Sequence, residues 1–282
     1  MDLDESNDPT DDTNRLAEQP LGSYLGGDEA LLGRCYNESV GVRRVEDEQS
    51  TIAPASDCGA EVGVTDRRVV VVVGDPPDHG GDFAATVPYR EVRRADVTTE
   101  TLTRAITLET CAGVRWSFPV RGGDDPTDLV AIVSGHAAEH RLADARQHRA
   151  EAADCQDRDA RIDALEAALA AFQEAASLLD VADGADADAT ADREDAEAVI
   201  ADLVAAHLDR GRSERSRGNW FAEAGDDRRA REAYANAADA FDRALSLSTS
   251  YPPGDPETIE DELMDLAARR KEYRDSDVAL GD

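Results

Sequence analysis

Lysine is almost missing from this chain of 282 residues: Lys271 stands alone, and every other basic residue is arginine. Cysteine is sparse too. Cys35, Cys58, Cys111 and Cys155 are widely spaced with no C-x-x-C pair, which excludes the zinc-ribbon and dithiol-redox patterns and leaves reduced thiols as the simplest reading. Aromatic residues make up only 5%, so any core must be built from aliphatic side chains and alanine. No apolar run approaches the roughly 18 residues a membrane span requires. The first twelve residues are acidic and polar, unlike a signal peptide. The expected location is therefore cytoplasmic, with at most peripheral contact at the inner membrane face. The glycine patterns of a P-loop or a dinucleotide fold are absent, as is a G-x-S-x-G elbow, so no cofactor is expected and no enzyme class gains support.

What the chain has in excess is negative charge: 62 acidic residues against 30 basic ones, a net of -32. Such a chain repels itself at low ionic strength, and salt relieves that repulsion. Acidic excess without lysine resembles the proteomes of halophilic archaea and bacteria. Acidic disorder is the rival reading, but long periodic apolar segments argue against it. Nucleic acid is excluded as the main partner, because phosphate binding needs clustered Lys and Arg. The charge is unevenly spread: residues 21 to 150 carry a net of -7, residues 151 to 282 a net of -19. Only the first of these stretches is suited to an anionic ligand.

Residues 1 to 20 are polar and aperiodic, which predicts a disordered acidic tail. Leu21, Tyr24, Leu25, Leu31 and Leu32 predict a short helix leading into a strand near Arg34 to Val45. The strongest strand signal runs from Val62 to Val73, and its unbroken Val69 to Val73 core suits a strand buried on both faces. Gly74 to Asp82 reads as a loop, and Phe83 to Tyr89 as a short strand ended by Pro88. Leu102, Ile106 and Leu108 precede a turn at Cys111 to Gly113, after which Val114, Trp116, Phe118 and Val120 alternate strictly, predicting a hairpin with Trp116 in the core. Asp124, Asp125 and Pro126 carry helix-start chemistry, followed by a stripe of Leu129, Ile132, Val133 and His136.

These residues carry a family resemblance. Gly63 to Val70, reading GVTDRRVV, is similar to the VTDRR strand of prokaryotic pleckstrin-homology-like domains, and Val87 to Val92, reading VPYREV, resembles their I-P-Y-x-x-I segment. The Trp116 strand and the helix from Pro126 to Arg141 complete the order. The resemblance covers about residues 21 to 142. It implies a partly open seven-stranded barrel capped by one helix, and no catalytic residues.

Beyond His140 the strand signals stop. Ile162, Leu165, Leu169, Phe172, Ala176 and Leu179 repeat at three-four spacing, the seam of a packed or coiled helix. Asp183 to Thr190 breaks the pattern. Further helices are predicted around Val199 to Leu208, after the turn at Gly225-Asp226 with Ala230, Tyr234, Ala237, Phe241, Ala244 and Leu245 on one face, and from Ile259 to Tyr273. Gly225 to Ala237 resembles the second half of a tetratricopeptide repeat, although the helix before it lacks that pattern.

The fold expected is α+β: a small pleckstrin-homology-like β-barrel over residues 21 to 142 capped by one helix, a connecting helix over 143 to 158, an all-α helical-hairpin region over 159 to 274, and a tail over 275 to 282. Candidate chemistry is thin. Arg67, Arg68, Arg90, Arg93 and Arg94 are candidates to converge on an anionic ligand, or else they balance Asp66, Glu91 and Asp96. His136 to His140 spells H-x-x-E-H, a zinc-peptidase pattern, with His136 and His140 as candidate ligands and Asp144 and His148 continuing the stripe. Surface histidines in such a helix also match by chance. Trp220, Phe221 and Tyr234 are candidates for a partner contact or for packing between helices. The functional expectation is a non-catalytic adaptor that binds a protein or membrane-associated ligand. The alternatives are a metal-dependent hydrolase on the histidine pair and a homo-oligomer joined through the Ile162 to Leu179 seam.

Overall fold

The computed structural model describes residues 16–100, 103–182, 188–250 and 256–279. It divides into two compact units: Met1–Arg141 with Glu174–Ala185, and Leu142–Gln173 with Asp186–Asp282.

The first unit holds two five-stranded antiparallel sheets, which makes it α+β. One sheet contains β1 (Leu31–Asn37), β4 (Ala60–Thr65), β5 (Arg68–Val73), β6 (Phe83–Pro88) and β10 (Gly122–Gly123), in the order β10-β1-β4-β5-β6. The other contains β2 (Val42–Val45), β3 (Gln49–Ile52), β7 (Val92–Glu100), β8 (Thr103–Thr110) and β9 (Arg115–Val120), in the order β3-β2-β9-β8-β7. Among the described residues no hydrogen-bonded strand pair joins the sheets, so they do not close into a barrel, and ten strands stand where the resemblance implied a partly open barrel of seven. Two breaks account for this. Between β1 and β2 the buried Asn37 side chain accepts from Gly41 N and donates to the carbonyls of Gly41 and Pro119, holding a turn that passes the chain to the second sheet. Between β6 and β7, Pro88 offers no N–H and a 3-10 turn over Tyr89–Glu91 interrupts the ladder.

The Val62 to Val73 run is a hairpin and not one strand. Val64 pairs with Val69, and the Thr65 hydroxyl accepts the N–H groups of Arg67 and Arg68 to fix the turn between them. β5 is buried on both faces, as five consecutive valines suggest. Val70 and Val72 are covered by Leu16, Leu21, Tyr24 and Leu25. This cover is pinned by Asp82, whose carboxylate accepts from Ala17 N, Glu18 N, Asp75 N and the Tyr24 hydroxyl. Leu16 is buried and the Ala17 and Glu18 amides are bonded to Asp82, so the expected tail is held from residue 16 on, with residues 17–20 exposed; residues 1–15 lie outside the described residues.

Helix α1 (Pro126–Asp154) starts as its chemistry dictates, with Thr127 N donating to Asp125 Oδ1 at 2.8 Å. It continues without interruption past residue 142. Leu129 closes on β1 at Gly33, where a Cβ would stand 2.4 Å from Leu129 Cδ2, so any larger residue there would have to push the Leu129 side chain aside.

The second unit contains α2 (Arg158–Leu179) up to Gln173, α3 (Asp188–Glu223), α4 (Asp227–Ser250) and α5 (Pro256–Ala279), the last running beyond the expected end at residue 274. Ile162, Leu165, Leu169 and Phe172 are buried within the chain, while Ala176 is exposed because the buried stripe runs through Ala175 and Leu178 instead. α3 and α4 form an antiparallel hairpin around Gly225, whose φ of 76° ends α3. Gly211 lies against the Phe241 ring and Gly218 against the Tyr234 ring. The two glycines are seven residues apart on α3 and the two aromatics seven apart on α4, so small residues on one helix receive the rings of the other. Ile259 and Leu266 of α5 complete this core.

Candidate functional site

Four of the five candidate arginines fall into separate local pairings. Arg67 Nη2 is 2.7 Å from Asp28 Oδ2. Arg68 Nη2 is 2.8 Å from Glu29 Oε2, whose side chain is 3% exposed. The Arg68 guanidinium holds the Glu29 carboxyl down to about 2; burial opposes this, and donation from Gly26 N and the Thr65 hydroxyl supports it. Arg93 is the extra residue of a bulge in β7, Arg94 follows it, and they sit near Glu109 (4.0 Å) and Asp96 (2.5 Å) respectively. Arg90 is exposed, and no ion pair forms on it among the described residues. Two of the five cap the β4–β5 turn and two lie on an edge strand of the other sheet, with carboxylates taking up most of their charge.

Tyr89 is buried and its hydroxyl donates to the Thr65 carbonyl, joining the two motif-bearing segments. Arg68 pairs with Pro88 across the same strands. His136 stacks on Tyr89 at 4.9 Å, and its Nδ1 lies 3.4 Å from Glu139. His140 is exposed, and His148 turns to Glu151 at 3.2 Å. No group of three His, Cys, Asp or Glu side chains converges among the described residues. The residue that sequence reading passed over is Arg141. It is buried and reaches the carbonyls of Arg90 and Val92, the Cys111 sulfur at 2.6 Å, and Glu174 at 3.0 Å. Its signal is positional: Leu129, Val133 and Ala137 recur every four residues, and the next step of that apolar stripe is an arginine.

In the helical unit, Trp220 is 63% exposed near the end of α3. Phe221 meets it edge-on at 5.0 Å, and the guanidinium groups of Arg217 and Arg229 stand 6.0 and 5.7 Å from the Phe221 ring. Tyr234 faces inward, 2% exposed, with its hydroxyl 2.8 Å from Asn219 Oδ1. It is a packing residue and presents no surface to a partner.

A cleft of about 350 Å³ lies between α2 and α4, lined by Glu166, Leu169 and Gln173 on one side and Arg243, Ser246 and Leu247 on the other. Glu166 Oε1 is 3.4 Å from Arg243 Nη2 and 3.8 Å from His207 Nε2. His207 is buried, and among the described residues neither ring nitrogen has a hydrogen-bond partner within 3.5 Å. Burial pushes its pKa down; Glu166 opposes that, and Arg243 and Arg210 add to it. No helix among the described residues is long and apolar enough to cross a membrane. No protein-family model matches the chain, and no curated protein is significantly similar to it.

Proposed function

We propose that this chain is a non-catalytic adaptor, with a first unit of pleckstrin-homology-like type and a helical unit that contacts a protein partner through Trp220. The exposed Trp220 carries the reading. A large aromatic left outside the core, beside a second aromatic and two arginines, has the composition of an interface hot spot. The family reading of the first unit is supported by the closeness of its two motif segments, joined through Tyr89 and Thr65. In this reading the chain is cytoplasmic, and the first unit meets a protein or membrane-associated ligand.

The test is a pull-down at high salt from a lysate with membranes kept as a separate fraction, comparing the intact protein with Trp220→Ala. A specific protein recovered by the intact chain and lost in the variant supports the adaptor reading. Equal recovery by both removes Trp220 as the contact, and recovery of nothing by the intact chain removes the adaptor reading itself.

A further inference from the structure

We propose that the α2–α4 cleft binds a small zwitterion of the α-amino acid class, with Glu166 receiving its ammonium group and Arg243 its carboxylate. This goes beyond the adaptor reading and does not rest on it. The two side chains stand 3.4 Å apart at one contact, Arg243 Nη2 to Glu166 Oε1. Among the described residues the second Glu166 oxygen accepts nothing, and the remaining N–H groups of Arg243 donate to nothing. A guanidinium has five donors in a planar fork suited to a carboxylate, so most of its capacity is unspent.

Charge decides between ligand classes. A net anion would enter a protein of net charge -32 against its field and meet Glu166 at the cleft wall. A simple cation would meet Arg243. A zwitterion satisfies both groups without net charge. About 350 Å³ is at the small end of ligand cavities and accommodates a molecule of amino-acid size. Leu169 and Leu247 supply an apolar wall for a side chain, while Gln173 and Ser246 offer further hydrogen-bonding groups. Behind Glu166, 3.8 Å from its Oε1, stands the buried His207 imidazole, which does not line the cleft.

The experiment is titration calorimetry on the full chain at constant high salt, with each of the twenty α-amino acids as probe. The expected result is saturable one-to-one binding of at least one of them, with a Kd below about 1 mM. Glu166→Gln and Arg243→Met should each weaken it at least about tenfold. The N-acetyl and methyl ester derivatives of the same amino acid, each lacking one charge, should weaken to a similar degree. Ala170→Trp, at an exposed position on the cleft wall, should abolish binding while leaving both charged groups in place, and it decides the matter if either charge variant fails to fold. Absence of saturable binding by all twenty probes overturns the proposal. So does binding that survives Ala170→Trp, or equal binding by a derivative with a single charge.

Discussion

Replacing Gly218 by alanine should destabilise the protein, although the same change in an open helix stabilises it. In a helix interior alanine is favoured over glycine by about 1 kcal/mol. A Cβ at Gly218 would stand 2.5 Å from Tyr234 Cε1 and 2.6 Å from Cδ1. Carbon atoms are at rest about 3.5–4.0 Å apart, so the ring must retreat by roughly 1 Å. It cannot do so freely, because it is 2% exposed and its hydroxyl is bonded to Asn219. Overpacking of this kind costs about 1–3 kcal/mol, which exceeds the propensity gain at the middle of its range. The net expectation is a loss of about 1 kcal/mol. Gly211→Ala should behave alike, since its Cβ would stand 2.5 Å from the fully buried Phe241 ring. Gly135 is the control: it is helical with nothing within 4 Å of an added Cβ, so Gly135→Ala should stabilise by up to about 1 kcal/mol. Urea unfolding midpoints at one fixed salt concentration read all three variants. Adding Phe241→Leu to Gly211→Ala should make the pair less costly than the two single changes summed. If Gly218→Ala raises the midpoint as Gly135→Ala does, the tight α3–α4 contact is refuted.

Arg68→Met should cost about 2 kcal/mol, because it leaves the nearly enclosed Glu29 carboxylate without its cation, whereas Arg67→Met should leave the urea midpoint unchanged, since Arg67 and Asp28 are exposed; equal effects would contradict the pairing. The acid limb follows from the same contact. The Glu29 carboxyl titrates near 2 when folded and near 4.5 otherwise, so its stabilisation is complete above about 4.5 and is lost as pH falls toward about 2. Glu29→Gln should therefore unfold less steeply than the parent across that window, and identical pH dependence of the two midpoints would count against it. Trp220→Ala, by contrast, should shift the midpoint by less than about 0.5 kcal/mol, since that side chain is 63% exposed; a larger loss would mean that it packs.

Much of this architecture was legible in the sequence, and the misses have physical causes. The five valines announced a strand buried on both faces, and strict alternation from Val114 to Val120 announced β9. Asp125 and Pro126 placed the start of α1. Asp66-Arg67 went unnoticed as a turn because no glycine or proline marks it; the Thr65 hydroxyl supplies the bonds that glycine geometry would otherwise make unnecessary. β7 was unreadable as a strand because its sequence, VRRADVTTE, is largely polar on an edge. The surroundings of the H-x-x-E-H segment were not legible from its spacing: His136 is turned to Tyr89 and Glu139, and His140 is exposed. The α2–α4 cleft could not be found from sequence, since Glu166, His207 and Arg243 come from three helices with no shared motif.

The Asp82 anchor has a consequence for how the first unit tolerates shortening. Homology-style boundaries would start this unit at Leu21. A chain begun there loses Leu16 from above Val70 and Val72, and Asp82 loses the two amide donors from Ala17 and Glu18. The valine surface so uncovered is apolar, and salting-out salts strengthen attraction between such surfaces. A chain begun at Leu21 should precipitate at lower salt than the intact chain, so the few residues before Leu21 act as a solubility element through the apolar surface they cover.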